Sequence, residues 1–144
     1  MCYRQLEESA AADLEFLFRI NVQTAVNAAR AALPALKASP AGRIVNVGAL
    51  AAEKAAAGMG PYAASKAAVL RLTEALAEEL KDTGITVNAV LPSIIDTAQN
   101  RADMPKADFS RWVAPVDLAE VMLFLASEKA KAVTGAMIAV RGRV

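Results

Sequence analysis

The sequence contains no histidine and a single cysteine, Cys2. Without histidine, the chain lacks the side chain most often used for proton transfer near neutral pH, which is also the commonest zinc ligand. One cysteine excludes an intrachain disulfide and a thiolate cluster, so we expect no bound metal. A reducing compartment fits this cysteine usage, and we expect a cytoplasmic protein. Glycine is also absent from the front of the chain, where the first one is Gly42.

The sequence also has little net charge and no long uninterrupted apolar run. Sixteen basic and fifteen acidic side chains leave a net charge of +1 with no basic stripe, so we expect no nucleic-acid partner. Charged residues interrupt the most apolar helical stretch, at 61–80, and others occur near the start, so we expect neither a membrane span nor a signal peptide. With 144 residues, 56% of them apolar, the chain suits one domain over 1–144.

Helix and strand signals alternate along the chain. Runs rich in β-branched residues predict buried strands at 43–48, 85–91 and 136–140. Apolar steps of three and four predict helices at 8–38, 61–81 and 115–125. Pro34 should kink the first helix or close it early. Residues 93–114 have no steady period and predict a long loop or lid. The order αβαβαβ predicts an α/β fold with a parallel sheet and right-handed crossovers.

Tyr62 and Lys66 are four residues apart on the predicted second helix, so they project from one face. They follow a buried strand, and open parallel sheets bind ligands near the carboxyl ends of their strands. A phenol is a poor acid near neutral pH, but a nearby ammonium stabilises the phenolate, and the pair can then work as a general acid and base. This spacing also arises by chance, and the alternative is a half-buried tyrosine beside a solvated lysine.

Several separate motifs together indicate a family. The stretches Arg43-Ile-Val-Asn-Val, Pro61-Tyr-Ala-Ala-Ser-Lys66 and Ile85-Thr-Val-Asn-Ala-Val-Leu-Pro92 follow one another in the order and spacing of the short-chain dehydrogenase/reductase superfamily. The resemblance continues through residues 115–121 to Val133-Thr-Gly135. It implies a partial Rossmann-like, doubly wound parallel sheet. It also implies an NAD(P)-dependent oxidoreductase that uses NAD(P)H to act on a small-molecule substrate.

The resemblance implies roles for individual residues. Tyr62 would exchange a proton with the substrate oxygen, and Lys66 would hold the nicotinamide ribose hydroxyls. Asn21 matches the family asparagine that holds a water in the proton relay; the alternative is a polar residue inside a helix that faces a neighbouring loop. The segment that would contact the nicotinamide carboxamide is matched by Pro92, Ser93, Ile95 and Thr97. The alternative for that segment is a strand end with a proline stop.

The chain departs from the family pattern in several places. Ala49 stands thirteen residues before Tyr62, where the family has a serine that hydrogen-bonds the substrate carbonyl. Such a donor contributes ~3–4 kcal/mol to a transition state. Ser93 replaces the glycine usual after Pro92, and the family's closing Asp-Gly-Gly is absent. The Gly-rich phosphate loop is also absent, so the chain resembles only the C-terminal half and lacks the N-terminal nucleotide-binding half.

Residues 91–112 resemble the corresponding stretch of dihydropteridine reductase, a member of the same superfamily. That enzyme also places Gly-Ala where Gly48 and Ala49 stand here. The resemblance implies a quinonoid pterin-like substrate as an alternative to a carbonyl. Phe109 or Trp112 would then cover a flat ring, or both would anchor the lid to the core.

A non-catalytic fragment or pseudoenzyme is the alternative to an enzyme. Without the family's front half, one edge of the strand at 43–48 would be unpaired, and we expect the isolated chain to be oligomeric, aggregation-prone or partly molten. In this superfamily, the helices matched by 8–38 and 61–81 commonly pair across a two-fold axis. We therefore expect a homo-oligomer formed through them, and a non-catalytic relative would retain this dimerisation surface alone.

Overall fold

Three parallel strands with helices between them confirm the predicted αβαβαβ order. The structure is a computed structural model that describes residues 5–144, so Cys2 lies outside the described residues. The helices are α1 (Ala11–Phe18), α2 (Thr24–Ala38), α3 (Gly60–Leu80), α4 (Ala98–Asp103) and α5 (Pro115–Ala126). The strands are β1 (Arg43–Val47), β2 (Thr86–Pro92) and β3 (Met137–Val140). Within the described range, no helix is long and apolar enough to cross a membrane.

The sheet has the order β1-β2-β3, and both pairings are parallel. In the register, Val47 lies opposite Val90, and Pro92 lies opposite Val140. Central β2 is buried along its whole length, as its apolar sequence predicts, whereas β1 is half-buried and ends at the exposed Val47. Among residues 5–144, β1 pairs with β2 alone, so the predicted open edge is present.

Helices cover both faces of the sheet, which confirms the doubly wound arrangement. On one face, α2 and α3 pack against β1 and β2 through a core made of Ala29, Leu76, Ala77, Leu80, Ile85 and Val87. On the other face, α5 contributes to a core made of Val90, Val113, Leu118, Leu125 and Ala130. Alternate residues of β1 take part in the two cores, because Ile44 packs on the α3 side and Val45 on the α5 side.

Pro34 and residues 93–114 are the two places where a local prediction needs revision. Helix α2 continues through Pro34 to Ala38, so it does not close early, and a kink at Pro34 stays a prediction. Pro34 and Arg30, whose carbonyl loses its helical donor, are both exposed, and solvent can hydrogen-bond that carbonyl.

The predicted loop at 93–114 is more ordered than its sequence indicates. It contains α4, which begins at the capping residue Thr97, and a parallel bridge that joins Ile95 to Val113. Six mostly polar residues show no apolar period, and the bridge pairs residues that are eighteen positions apart. Neither feature leaves a local signal in the sequence.

Candidate active site

Helix α3 presents Tyr62 and Lys66 one turn apart, as their spacing predicts. The helix begins at Gly60, and Pro61 in its first turn supplies a backbone angle suited to a helix start. Both side chains are half-buried. The Nζ of Lys66 donates a hydrogen bond to the carbonyl of Val47, the last residue of β1, at 3.0 Å. This contact places the lysine at the carboxyl end of β1.

Asn21 is connected to the same helix through Ser65. Its Nδ2 donates to the Ser65 hydroxyl at 3.0 Å, and that hydroxyl donates to the Tyr62 carbonyl at 2.8 Å. Asn21 lies in a π-helical turn, Arg19–Gln23, between α1 and α2. Such turns insert an extra residue into a helix and are frequent at functional sites. The asparagine therefore faces α3, not a neighbouring loop.

Ser65 was missed by the sequence analysis. Its side chain is fully buried, and it forms the link between Asn21 and the backbone of α3. The only signal in the sequence was its position between Tyr62 and Lys66. A serine inside a helix most often bonds its own backbone, so its second partner, forty-four residues away, had no local signature.

Partial burial lowers the pKa of the Lys66 ammonium, because removing a charge from water penalises the protonated form. An ammonium has three donor hydrogens, and the bond to the Val47 carbonyl uses one of them. This bond orients the group, whose remaining hydrogens suit hydroxyl oxygens. The ammonium of Lys66 is therefore held in one orientation, one helical turn from the Tyr62 phenol.

Pro92 and Ser93 lie at the same edge of the sheet. The N–H of Gly48, just beyond β1, donates to the Val90 carbonyl at 2.9 Å, so the ends of β1 and β2 are adjacent. Pro92 is buried and ends β2. Ser93 donates its N–H to the Val140 carbonyl at 3.0 Å and its hydroxyl to the Arg141 carbonyl at 2.6 Å.

Ile95 and Thr97 have structural roles in the structure. Ile95 packs against the core on the α5 side and forms the bridge to Val113. The hydroxyl of Thr97 accepts the Asn100 N–H at 3.2 Å and so caps α4. Contact between these two residues and a nicotinamide ring stays a prediction.

The loop after β1 approaches α3 closely at Gly48. A Cβ at Gly48 would lie 2.8 Å from the Cδ2 of Leu70, so a larger residue there would require the Leu70 side chain to move. The following residue, Ala49, is 6% exposed. Its side chain is a methyl group, so it supplies no hydrogen-bond donor at this position.

In the lid, Trp112 is 8% exposed, and its ring centroid lies 4.8 Å from that of Phe109. The guanidinium of Arg101 lies over the Phe109 ring at 4.8 Å and pairs with both carboxylate oxygens of Asp96, at 2.6 and 2.7 Å. That bidentate contact lowers the pKa of Asp96. The burial of Trp112 favours anchoring of the lid over a role in covering a ring.

The chemistry of the described residues suits some parts of a nicotinamide dinucleotide and not others. The Lys66 ammonium has donor hydrogens beyond the one bonded to Val47, and these suit hydroxyl oxygens such as those of a ribose. A pyrophosphate needs backbone N–H groups at a glycine-rich turn before a helix. The glycines with positive φ among the described residues, Gly58, Gly84, Gly135 and Gly142, lie at four separate turns and form no such loop.

Several known proteins are similar to this chain in sequence. A family model described as enoyl-(acyl carrier protein) reductase matches residues 3–142. The 3-oxoacyl-(acyl-carrier-protein) reductase FabG of Pseudomonas aeruginosa is 36% identical over 130 residues, which are 85% of this chain and 53% of the relative. The acetoacetyl-CoA reductase of Shinella zoogloeoides is 37% identical over 110 residues, 70% of this chain and 46% of the relative.

Several solved structures also match this chain. A 3-oxoacyl-(acyl-carrier protein) reductase from Brucella melitensis with bound NAD matches at a TM-score of 0.85 and 29% identity, covering 98% of this chain and 55% of that one. A short-chain dehydrogenase from Escherichia coli complexed with NADPH matches at 0.86 and 26%, covering 95% and 57%. This chain thus spans about half the length of the relatives that it matches. From its motifs, its fold and these matches, the chain belongs to the short-chain dehydrogenase/reductase superfamily.

Proposed function

We propose that this chain is the catalytic portion of an NAD(P)-dependent oxidoreductase that reduces a carbonyl group of a small-molecule substrate. The observation that carries the proposal is the set of hydrogen bonds at α3, in which Asn21 contacts Ser65 and Lys66 contacts the end of β1. Relatives named as 3-oxoacyl and acetoacetyl-CoA reductases support a carbonyl substrate. A quinonoid pterin-like compound, which the sequence of the lid implies, is the second substrate class.

In the proposed mechanism, Lys66 and the end of β2 would hold the nicotinamide end of NAD(P)H, which would supply the hydride that reduces the carbonyl carbon. The phenol of Tyr62 would give its proton to the carbonyl oxygen, so that the product is an alcohol and Tyr62 is left as a phenolate. Lys66 would stabilise that phenolate and bind the ribose hydroxyls through the two N–H groups that do not contact Val47. Asn21, held by Ser65, would position the water that returns a proton to Tyr62.

Replacement of Tyr62 by phenylalanine tests the proton donor. We expect Tyr62→Phe to lower the rate of nucleotide oxidation roughly 10²- to 10⁴-fold, because a benzene ring has no proton to transfer. The assay monitors absorbance of NADH and NADPH with acetoacetyl thioesters. It also uses reduced nicotinamide mononucleotide, which needs no pyrophosphate cradle. The sequence has only one other tyrosine, so Tyr3→Phe is the matched control and should keep the rate.

Both negative outcomes are informative. An unchanged rate in Tyr62→Phe would reject Tyr62 as the donor. No turnover by the unmodified protein with any of the three nucleotides would reject the enzymatic proposal and favour the non-catalytic alternative.

Replacement of Ala49 by serine separates the two substrate classes. A serine hydroxyl at this buried position would donate to the oxygen of a simple ketone in the transition state. We expect Ala49→Ser to raise kcat about tenfold or more for a ketone, which is only part of what such a donor contributes elsewhere. A quinonoid pterin is reduced at a conjugated imine, so its rate should change little. Equal responses of the two substrates would remove Ala49 as a determinant of substrate class.

A non-catalytic pairing module is the second candidate function, and a specific surface favours it. Phe18, Val22 and Val26 recur at helical spacing from the end of α1 through the π-helical turn into α2, and together with four polar residues they line an exposed groove. Phe16 in α1 and Ile20 in the π-helical turn are 50% and 42% exposed. A second copy of the chain would cover these residues, so we infer a homo-oligomer formed through the helices at 8–38 and 61–81. Cytoplasmic localisation stays a prediction.

A further inference from the structure

The end of the chain is bonded directly to the proposed nicotinamide-contacting segment. Residues 140–143, which we call the C-terminal segment, supply two acceptors to Ser93. The Val140 carbonyl accepts the Ser93 N–H at 3.0 Å, and the Arg141 carbonyl accepts the Ser93 hydroxyl at 2.6 Å. The bond to the Arg141 carbonyl needs the hydroxyl of Ser93, and the glycine that is usual in the family after Pro92 could not form it. The unusual residue therefore couples the end of β2 to the end of the chain.

Arg111 contacts the C-terminal segment from the lid. The N–H of Arg143 donates to the Arg111 carbonyl at 2.8 Å. In return, the Nε and Nη2 of Arg111 donate to the Arg143 carbonyl at 2.9 and 2.7 Å. Hydrogen bonds from a charged donor are stronger than those between neutral groups. The lid and the C-terminal segment are therefore joined by three hydrogen bonds in both directions.

Gly142 allows this close approach. Its φ is +60°, a backbone conformation that residues with a Cβ rarely adopt. A Cβ added there would lie 2.7 Å from the Arg111 carbonyl oxygen and 3.2 Å from the Trp112 carbonyl carbon. Backbone atoms cannot move aside as a flexible side chain can. Any larger residue would therefore separate the C-terminal segment from the lid.

Val113 joins the lid stretch at 111–113 to residues 93–96. Its N–H donates to the Ile94 carbonyl at 2.9 Å, and its carbonyl accepts the Asp96 N–H at 2.8 Å. The stretches 93–96, 111–113 and 140–143 therefore form a closed set of hydrogen bonds. Each stretch contacts both of the others, although they are distant in sequence.

We propose that the C-terminal segment is a positioning element that holds residues 93–96 in place before a nicotinamide binds, with Ser93, Arg111 and Gly142 as its positioning residues. The inference rests on the proposed function, because it takes 93–96 as the nicotinamide-contacting segment. A segment that is already held in one conformation loses less entropy when a ligand binds. Arg111 and Gly142 act through the backbone of 93–96 and are positioning, not catalytic, residues.

Hydrogen–deuterium exchange on the full chain tests the inference without a nucleotide. In Gly142→Ala, we expect the amides of Ser93, Asp96 and Val113 to exchange about tenfold faster, because local opening becomes easier. The matched control is Gly84→Ala. Gly84 has φ +75° and nothing within 4 Å of an added Cβ, so it carries similar backbone strain without a clash. Exchange at the three amides should stay at the wild-type level in this control.

Ser93→Ala is the second variant, in case Gly142→Ala does not fold. It keeps the Cβ and removes only the hydroxyl, and we expect faster exchange at Arg143 and Asp96. Wild-type exchange at Asp96 and Val113 in Gly142→Ala would overturn the inference, as would wild-type exchange at Arg143 and Asp96 in Ser93→Ala.

Nucleotide titration separates the inference from the proposed function. If Gly142→Ala raises the KM for NAD(P)H several-fold while kcat changes little, both proposals are supported. If exchange rises but the unmodified protein neither binds nor oxidises any nucleotide, the positioning element is present and the proposed function fails. If the protein turns over while exchange is unaffected by both variants, only the positioning inference fails.

Discussion

The N-terminal helices and the central strand differ in how far the described chain covers them. In α1 and α2, Ala29 is the only buried residue, whereas every residue of β2 is buried. Both regions are apolar in sequence. An apolar stripe therefore predicts that a helix face is a contact surface. It does not predict whether the residues that contact it belong to the same chain.

The candidate site lies where the N-terminal helices meet α3, which packs on the sheet. Lys66 and Tyr62 stand on α3, which packs on the buried sheet, while Asn21 comes from the weakly covered helices. A side-chain hydrogen bond from Asn21 to Ser65 links the turn between α1 and α2 to α3. Tyr62 and Lys66 therefore stand on a helix that packs on the sheet, whereas Asn21 stands in a turn between two largely exposed helices.

Matched leucine substitutions should give the largest contrast between the regions. Leu91 in β2 is fully buried, and Leu14 in α1 is 42% exposed. We expect Leu91→Ala to lower the free energy of unfolding by about 2–5 kcal/mol, since it leaves a cavity. Leu14→Ala should lower it by less than about 1 kcal/mol. Urea denaturation followed by the fluorescence of Trp112, the only tryptophan, measures both. Equal losses would show that the N-terminal helices are as well covered in solution as the sheet.

A charge placed on the N-terminal face should have an intermediate effect. We expect Phe18→Glu to shift the protein from oligomer to monomer in sedimentation equilibrium, because a buried carboxylate at a paired surface is strongly unfavourable. Phe124→Glu is the control, since Phe124 is 47% exposed on α5, far from this groove in the chain. A wild-type protein that is already monomeric would contradict pairing through α1 and α2.

The smallest expected effect is the contribution of Lys66 to the pH dependence of the free energy of unfolding. Burial lowers the pKa of its ammonium in the folded chain below that of the unfolded chain. Between the two pKa values the unfolded chain binds more protons, so the free energy of unfolding should rise as the pH rises through that alkaline window. Lys66→Met should flatten this rise in urea titrations, and the exposed Lys54 provides the control substitution. If the free energy of unfolding changes with pH in the same way in wild type and Lys66→Met, the lowered pKa of Lys66 is contradicted.

The sequence alone determined the order of elements and the placement of the main site residues. Helical and strand periods depend on residues a few positions apart, so both ends of α3, β2 and α5 were predicted to within one residue. The Tyr62 and Lys66 pair followed in the same way, because residues four apart must share a helix face.

Only the tertiary structure decided how distant segments meet. The link from Asn21 through Ser65, the bridge of Ile95 to Val113 and the bonds from Ser93 and Arg111 to the C-terminal segment each join residues separated by eighteen to forty-eight positions. No local pattern encodes such contacts, because they form only after helices and strands pack in one register. Pro34 stays inside a helix for a related reason, since the cost of its missing hydrogen bond depends on exposure, which packing sets.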